Sequence, residues 1–370
     1  CNKDGRIDYF DSNTPAPAVI KDVKVINTAG GAILTYVIPN DRNFYYAKAV
    51  YEIQPNVFKE AKSSLYNDTL RLEGFGDTAM HEVKVFSVGR NEKESSPVTV
   101  KVQPRTPGVI RAFLSIKVAA TFGGVQVSFH NASKDNLAIV IMKDTTKSQT
   151  WSTLETFHTG ADSGRFTVRG LDSIKQDFAV FVRDRWNNKS DTLKLALKPI
   201  FEQAISKDTW QAMNLPTDQT EVAENYVITR LWDGKFPTLS DSYASSNSSV
   251  LPQWFTIDLG KKVIMSRIAE HQTSASFHFY DGSALKAVEI WGSNNPDADG
   301  GWTHWDSLGT FHSFKPSGLP MGQTNGDDAQ YGQIMGEDFA FDHLLPAYRY
   351  IRWKTLETYS SPGQVVISEI

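Results

Sequence analysis

Cysteine is almost absent: the 370 residues hold one, at position 1. Intramolecular disulfides and multi-thiolate zinc sites are thereby excluded. A surplus of positive charge is missing too. Lys plus Arg number 38 against 42 for Asp plus Glu, a net charge of −4, so nothing is available to neutralise a nucleic-acid backbone and no nucleic-acid partner is expected. Long apolar runs are also lacking. Those present, such as FAVFV at 178–182, are strand-sized and far short of the roughly 20 residues of a membrane helix. No HExxH, GxSxG, Walker loop or GxGxxG in strand–helix context occurs, and the eight His show no metal-binding spacing. A glycosidase needs two carboxyls about 5–10 Å apart across one sugar, and spacing pairs none of Asp233, Glu270, Asp281 and Asp306. The expectation is a protein that is not an enzyme; a glycoside hydrolase stays as an alternative because sandwiches host sites that one sequence does not advertise.

What is present is the composition of an ordinary globular chain, 40% hydrophobic and 22% charged. Its length allows two to four domains at about 100–200 residues each. Two early segments read as copies of each other. GGAILTYVIPN at 30–40 answers GGVQVSFHNAS at 123–133, and VKVFSVGRNEKESSPVTVKVQP at 83–104 answers DFAVFVRDRWNNKSDTLKLALKP at 177–199. Phe86 to Phe181, Arg90 to Arg185 and Pro104 to Pro199 are each 95 positions apart. Short period-two runs broken by Gly, Asn, Asp, Ser and Pro are the pattern of an antiparallel sandwich. With no Cys pair, the copies resemble fibronectin type III and related immunoglobulin-like modules. The expected fold class is all-β, with residues 1–14 as a tether, 15–105 and 106–200 as tandem sandwiches, 201–219 as a linker and 220–370 as a further domain.

That last stretch contains six of the nine Trp. WDGKFPT at 232–238, QWFTIDLG at 253–260, VEIWGSN at 288–294 with GWTHWDSLG at 301–309, and YRYIRW at 348–353 before ISEI at 367–370 stand in a fixed order. Together they resemble a discoidin, or coagulation factor type C, domain, a galactose-binding-like jelly roll whose end loops bind sugars, glycoconjugates, lipids or proteins. Cys1 resembles the acylated first residue of a mature bacterial lipoprotein, with the polar NKDGRIDYFDSNTPAPAV behind it as tether. The whole arrangement resembles surface lipoproteins of polysaccharide-utilisation loci. KPSGLPMGQTNGDD at 315–328, an insertion in the short discoidin pattern, is similar to that group as well. The resemblance implies lipid anchoring through Cys1 to the outer membrane at the cell surface, a glycan partner, and other glycan-utilisation surface proteins as neighbours. An adhesin or assembly module binding a protein is the alternative.

Two site expectations follow from the resemblance. A structural Ca²⁺ would be held by Asp233 and Thr238 of the DG turn with Glu369, although Lys235 stands where the family commonly has Asn or Asp, and a metal-free turn is an equal reading because Ca²⁺ demands six to eight oxygens. Sugar-binding candidates come from the early loops: Trp232, Phe236, Tyr243, His271, His278 and Tyr280, with Gln272, Phe277 and Phe279 beside them. A pyranose has an apolar C–H face and a hydroxyl rim, so its site combines an aromatic platform with oriented polar groups. Each ring could instead be packing, with FHFY at 277–280 a plain alternating strand. Trp254 is assigned to the core.

Overall fold

The computed structural model describes residues 13–146, 150–341 and 343–370. The first twelve positions of the expected tether, Cys1 among them, lie outside the described residues. The chain is all-β, as its alternation predicts, and falls into two compact units: one up to Leu114 plus Phe181–Thr192, the other Ser115–Val180 plus Leu193–Ile370.

In the first unit a three-stranded sheet (Lys21–Thr28, Gly31–Val37, Thr69–Glu73) accompanies a four-stranded one ordered Val57–Ser64, Phe44–Gln54, His81–Gly89, Val98–Val102, every pair antiparallel. Along Phe44–Gln54, Ala47, Ala49, Tyr51 and Ile53 are buried and their neighbours are not. This period of two places them against Leu34, Leu70 and Leu72 in one core. Gly74 is required here by both conformation and space: its φ is +100°, and a Cβ would lie 3.2 Å from the Trp186 ring.

The repeat is visible in detail. Gly31–Val37 and Gly124–His130 bury their residues in the same order. Ser95 Oγ accepts from Ser87 N (3.0 Å) as Ser190 Oγ accepts from Val182 N (2.9 Å), two bonds 95 residues apart.

The second unit opens with a sheet ordered Trp151–Thr159, Leu137–Asp144, Gln176–Asp184 (of which this unit holds the residues up to Val180), Leu193–Leu197 and a three-stranded partner (Ser163–Val168, Gly124–His130, Lys117–Thr121). Its C-terminal part has a five-stranded antiparallel sheet ordered Gln211–Ala212, Gln253–Val263, Tyr348–Thr358, Leu285–Ser293, Asp306–His312. Two short pairs, Tyr243–Ala244 with Val366–Ile367 and Arg267–Glu270 with Glu337–Ala340, supply the rest of the sandwich. One core joins these layers: Phe255, Ile257, Ile290, Ile351 and Trp353 of the large sheet meet Phe339 and Ile367 of the small ones. Phe255 and Trp353 stack nearly parallel, centroids 6.3 Å apart. Gly260, at φ +76°, lies within its strand, which runs on to Val263 through a register shift.

Trp254 is a correction. With Phe255 and Ile257 turned inward, alternation turns Trp254 out, where it is half-buried edge-on to Trp302 (5.1 Å), its Nε1 donating to Thr217 Oγ1 at 3.3 Å. Both Arg residues of YRYIRW make structural pairs. Arg349 binds Asp258 through two 2.8 Å bonds. Arg352, fully buried, lies 3.6 Å from Asp218 and 4.4 Å from the ring centres of Trp302 and Trp305.

Candidate functional site

The early loops of the C-terminal part begin where the short 3₁₀ helix Ile228–Trp232 stops at Asp233. Asp233 Oδ1 accepts from Lys235 N at 2.9 Å, and Gly234 turns at φ +76°, a left-handed conformation that glycine adopts without strain. The next turn is tied by Thr238, whose hydroxyl donates to Asp241 and whose carbonyl accepts from Ser242 Oγ at 2.9 Å. A second loop joins this one through Ser274 N donating to Pro237 O at 2.6 Å. The Phe236 ring lies on the His271 ring, centroids 4.0 Å apart.

Exposure separates the aromatic candidates. Phe236 is 38% exposed and Phe277 is 60% exposed. Tyr243 and Tyr280 are 1% and 0% exposed, so neither offers a face to a ligand, which corrects their assignment as platforms. The reason lies in the backbone. Alternation fails in the FHFY segment because Ser276–His278 forms a 3₁₀ turn and Tyr280 adopts φ +48°, so Phe277 points out while Phe279 and Tyr280 both turn in. Tyr280 then donates from its hydroxyl to Phe314 O (3.0 Å) and from its backbone N–H to buried Gln272 Oε1 (2.9 Å). Trp232 is half-buried against the core and edge-on to Trp210 at 6.1 Å. His271 and His278 are half-buried; burial holds both imidazoles below their ordinary pKa. Nδ1 of His271 meets Gln333 O at 2.9 Å, and Nδ1 of His278 accepts from Ser283 N at 3.3 Å.

The three residues expected around Ca²⁺ do not form an oxygen cage. Glu369 is 2% exposed, and its carboxylate is taken by the Lys207 ammonium, which also donates to Ile370 O at 2.5 Å. Its other oxygen accepts from Gly234 N at 3.3 Å. Burial pushes the Glu369 carboxyl up against the pull of that ammonium. The Asp233 carboxylate serves its own turn and the Thr238 hydroxyl is directed to Asp241. An internal cation thus stands on the one buried carboxylate, and the donors present do not fit Ca²⁺. Among the described residues no group of three or more His, Cys, Asp or Glu is gathered in a metal-binding arrangement.

Two further acids sit beneath the loops. Glu270 and Glu337 oppose each other on paired strands, 0% and 1% exposed. Glu337 accepts from Ser313 Oγ (2.7 Å), Phe314 N (2.8 Å) and the Gln272 amide. Neither oxygen of Glu270 has a hydrogen-bond partner among the described residues. Desolvation, followed by the neighbouring charge, raises Glu270 well above the usual carboxylate range, and desolvation pushes Glu337 up to about 7. Their burial removes this facing pair from any sugar. Lys207 and Glu337 carry no sequence signal of these roles, being 162 and 67 residues from Glu369 and Glu270 respectively.

Three family models match the chain, all described as domains of unknown function: DUF4959 over residues 17–104, DUF5126 over 105–208 and DUF5000 over 232–370. No curated protein matches. Among solved structures the chain is similar to a SusE-like protein, with 28% identity over 71% of this chain and 97% of that one, at a TM-score of 0.43. It is similar also to the C-terminal domain of a chitobiase from Bacteroides fragilis, with 18% identity over 45% of this chain and 94% of that one, at a TM-score of 0.32. A CBM32 module solved with GalNAc bound is a third, with 12% identity, coverage of 43% and 93%, and a TM-score of 0.29.

Proposed function

We propose that the chain is a non-catalytic glycan-binding protein of a polysaccharide-utilisation system, anchored at the outer-membrane surface through Cys1, with a discoidin-type C-terminal module that takes carbohydrate on its early loops. The observation that carries this reading is a pair of rings left in solvent, Phe236 and Phe277, on loops held together by the Ser274–Pro237 bond. The same loops supply Ser240 and Asp241, exposed or half-exposed polar groups suited to a hydroxyl rim. Aromatic faces cover the apolar side of a pyranose, and the polar neighbours set its orientation.

A glycan array probed with the full chain tests the reading, followed by titration of any hit against Phe236→Ala and Phe277→Ala. Each truncation is expected to weaken binding by about 1–3 kcal/mol, as for a buried aromatic anchor, with the melting midpoint retained. Full affinity in both variants would move the site off these loops, and a blank array with capture of a protein would favour an adhesin. Anchoring is tested separately by fractionation, where Cys1→Ser is expected to release the protein from the membrane.

A further inference from the structure

The insertion at 315–328 contributes to a cavity that the loop-end reading does not use. The cavity encloses about 310 Å³, at the lower end of the roughly 300–1,000 Å³ of small-molecule sites. Strands Trp151–Thr159 and Ser163–Val168 form one side. The other is the segment from Pro316 to Asp338, which includes a π-helix at Gln330–Met335. Such helices are rare and frequently mark functional sites. A register shift between Thr153 and Glu155, beside the cavity, is a second local irregularity.

Its chemistry is two-sided. Phe157 and Phe166 stack at 4.1 Å, with Tyr331 edge-on to Phe157 at 6.0 Å, making an apolar wall. Near it, Asp338 lies between two guanidiniums, 2.5 Å from Arg169 Nη2 and 3.6 Å from Arg267 Nη1. Neither charged group is sealed off: both side chains line the cavity and keep some surface, 16% for Arg169 and 17% for Asp338. A purely apolar occupant would strip water from both charged groups and return no hydrogen bond, which is costly. The charges weigh against an anionic occupant. Arg169 and Arg267 give +2, Glu155, Asp327 and Asp338 give −3, and the sum of −1 repels an anion.

We infer that this cavity is a second saccharide site, selective for a neutral pyranose over a uronate or a sulfated sugar. Ring C–H groups face Phe157 and Tyr331, and hydroxyls meet the exposed parts of Arg169 and Asp338. The middle of the chain is then part of a binding surface. The inference does not depend on the loop-end site.

Methionine methyl groups supply the probe, since the chain has six and Met335 lines the cavity while Met80 lies in the other unit. The full chain, labelled at the Met methyls, is titrated with methyl glucoside, methyl galactoside and methyl mannoside, and separately with methyl glucuronide. At least one neutral glycoside is expected to move the Met335 resonance saturably with Met80 unmoved, and the glucuronide to bind at least ten-fold more weakly or not at all. Thr156→Phe, which fills the cavity, should abolish the shift; Gln330→Trp at the exposed rim is the second block should the first variant lose its fold. Phe236→Ala should leave the shift intact, which separates this site from the loops. A Met335 resonance unmoved by all three neutral glycosides, an undiminished shift in a folded blocked variant, or equal binding of the glucuronide would overturn the inference.

Discussion

Raising the pH is expected to weaken the C-terminal sandwich through Glu270 and Glu337. Glu337 is pushed from an ordinary 4.5 up to about 7, chiefly by desolvation, and Glu270 is raised by the same cause with the Glu337 charge added. The sign follows from proton counts. Above 4.5 the unfolded chain has released protons that the native state still holds, so unfolding becomes easier as pH rises and the loss continues to the native pKa. For Glu337 alone the interval is two to three units at about 1.4 kcal/mol each, or about 3 kcal/mol. Glu270 adds in the same direction, because among the described residues no hydrogen bond supports its charge. Against a total stability of about 5–15 kcal/mol this is a large fraction.

His271 and His278 act oppositely: burial lowers them, so the stability they contribute is present above their ordinary 6.5 and lost as pH falls. A single pH curve therefore mixes both effects. The variant Glu270→Gln/Glu337→Gln keeps the histidines and removes the acids, so its difference from the natural sequence isolates them. Urea unfolding followed by Trp emission is the assay, since six of nine Trp lie after residue 220. Between about pH 5 and about pH 8 the natural sequence should lose about 3 kcal/mol or more relative to the double variant. Parallel stability curves for the two proteins would refute the reasoning, showing that the pair carries no extra proton in the native state.

Two further outcomes follow from buried charges. The melting midpoint should be the same in excess calcium and in chelator, while Lys207→Met, which strands the Glu369 carboxylate, should cost on the order of 2 kcal/mol, less than a fully buried pair because Lys207 is one-third exposed; a calcium-dependent rise would restore Asp233, Thr238 and Glu369 to a metal role. Arg352→Leu should cost about 3–5 kcal/mol by leaving Asp218 buried and unpaired, with much of it recovered in Arg352→Leu/Asp218→Leu, and denaturation of the three variants measures both.

How far these features were legible in the sequence depends on the range of the interaction. Period-two alternation is local, and over FTIDLG it puts Phe255 and Ile257 on one face, the face that is buried. Applied one residue earlier it also turns Trp254 outward, so the core assignment of that ring went against a signal already present. The 95-residue repeat was readable because the same turn chemistry, Ser95 with Ser87 and Ser190 with Val182, must recur wherever the same hairpin does. The DG turn at Asp233 and Gly234 was readable for a similar reason, its geometry being set by adjacent residues.

The site itself was less legible, and the causes are particular. Whether Phe277 or Phe279 faces solvent depends on a 3₁₀ turn and on the left-handed backbone of Tyr280, a conformation uncommon for a tyrosine and not implied by its neighbours. The expected calcium ligands failed because a lysine from the linker, remote in sequence, supplies the positive charge instead. Residue type alone does not distinguish a carboxylate awaiting a metal from one already neutralised by an ammonium. The cavity against the insertion is the extreme case: Phe157, on a strand, and Tyr331, on a helix, are 174 positions apart and meet only through the tertiary fold. Side chains that neither local alternation nor a motif explains, such as Arg169 held against Asp338, are where long-range structure adds chemistry to the sequence. That is the physical reason for placing the second sugar site there and testing it apart from the loops.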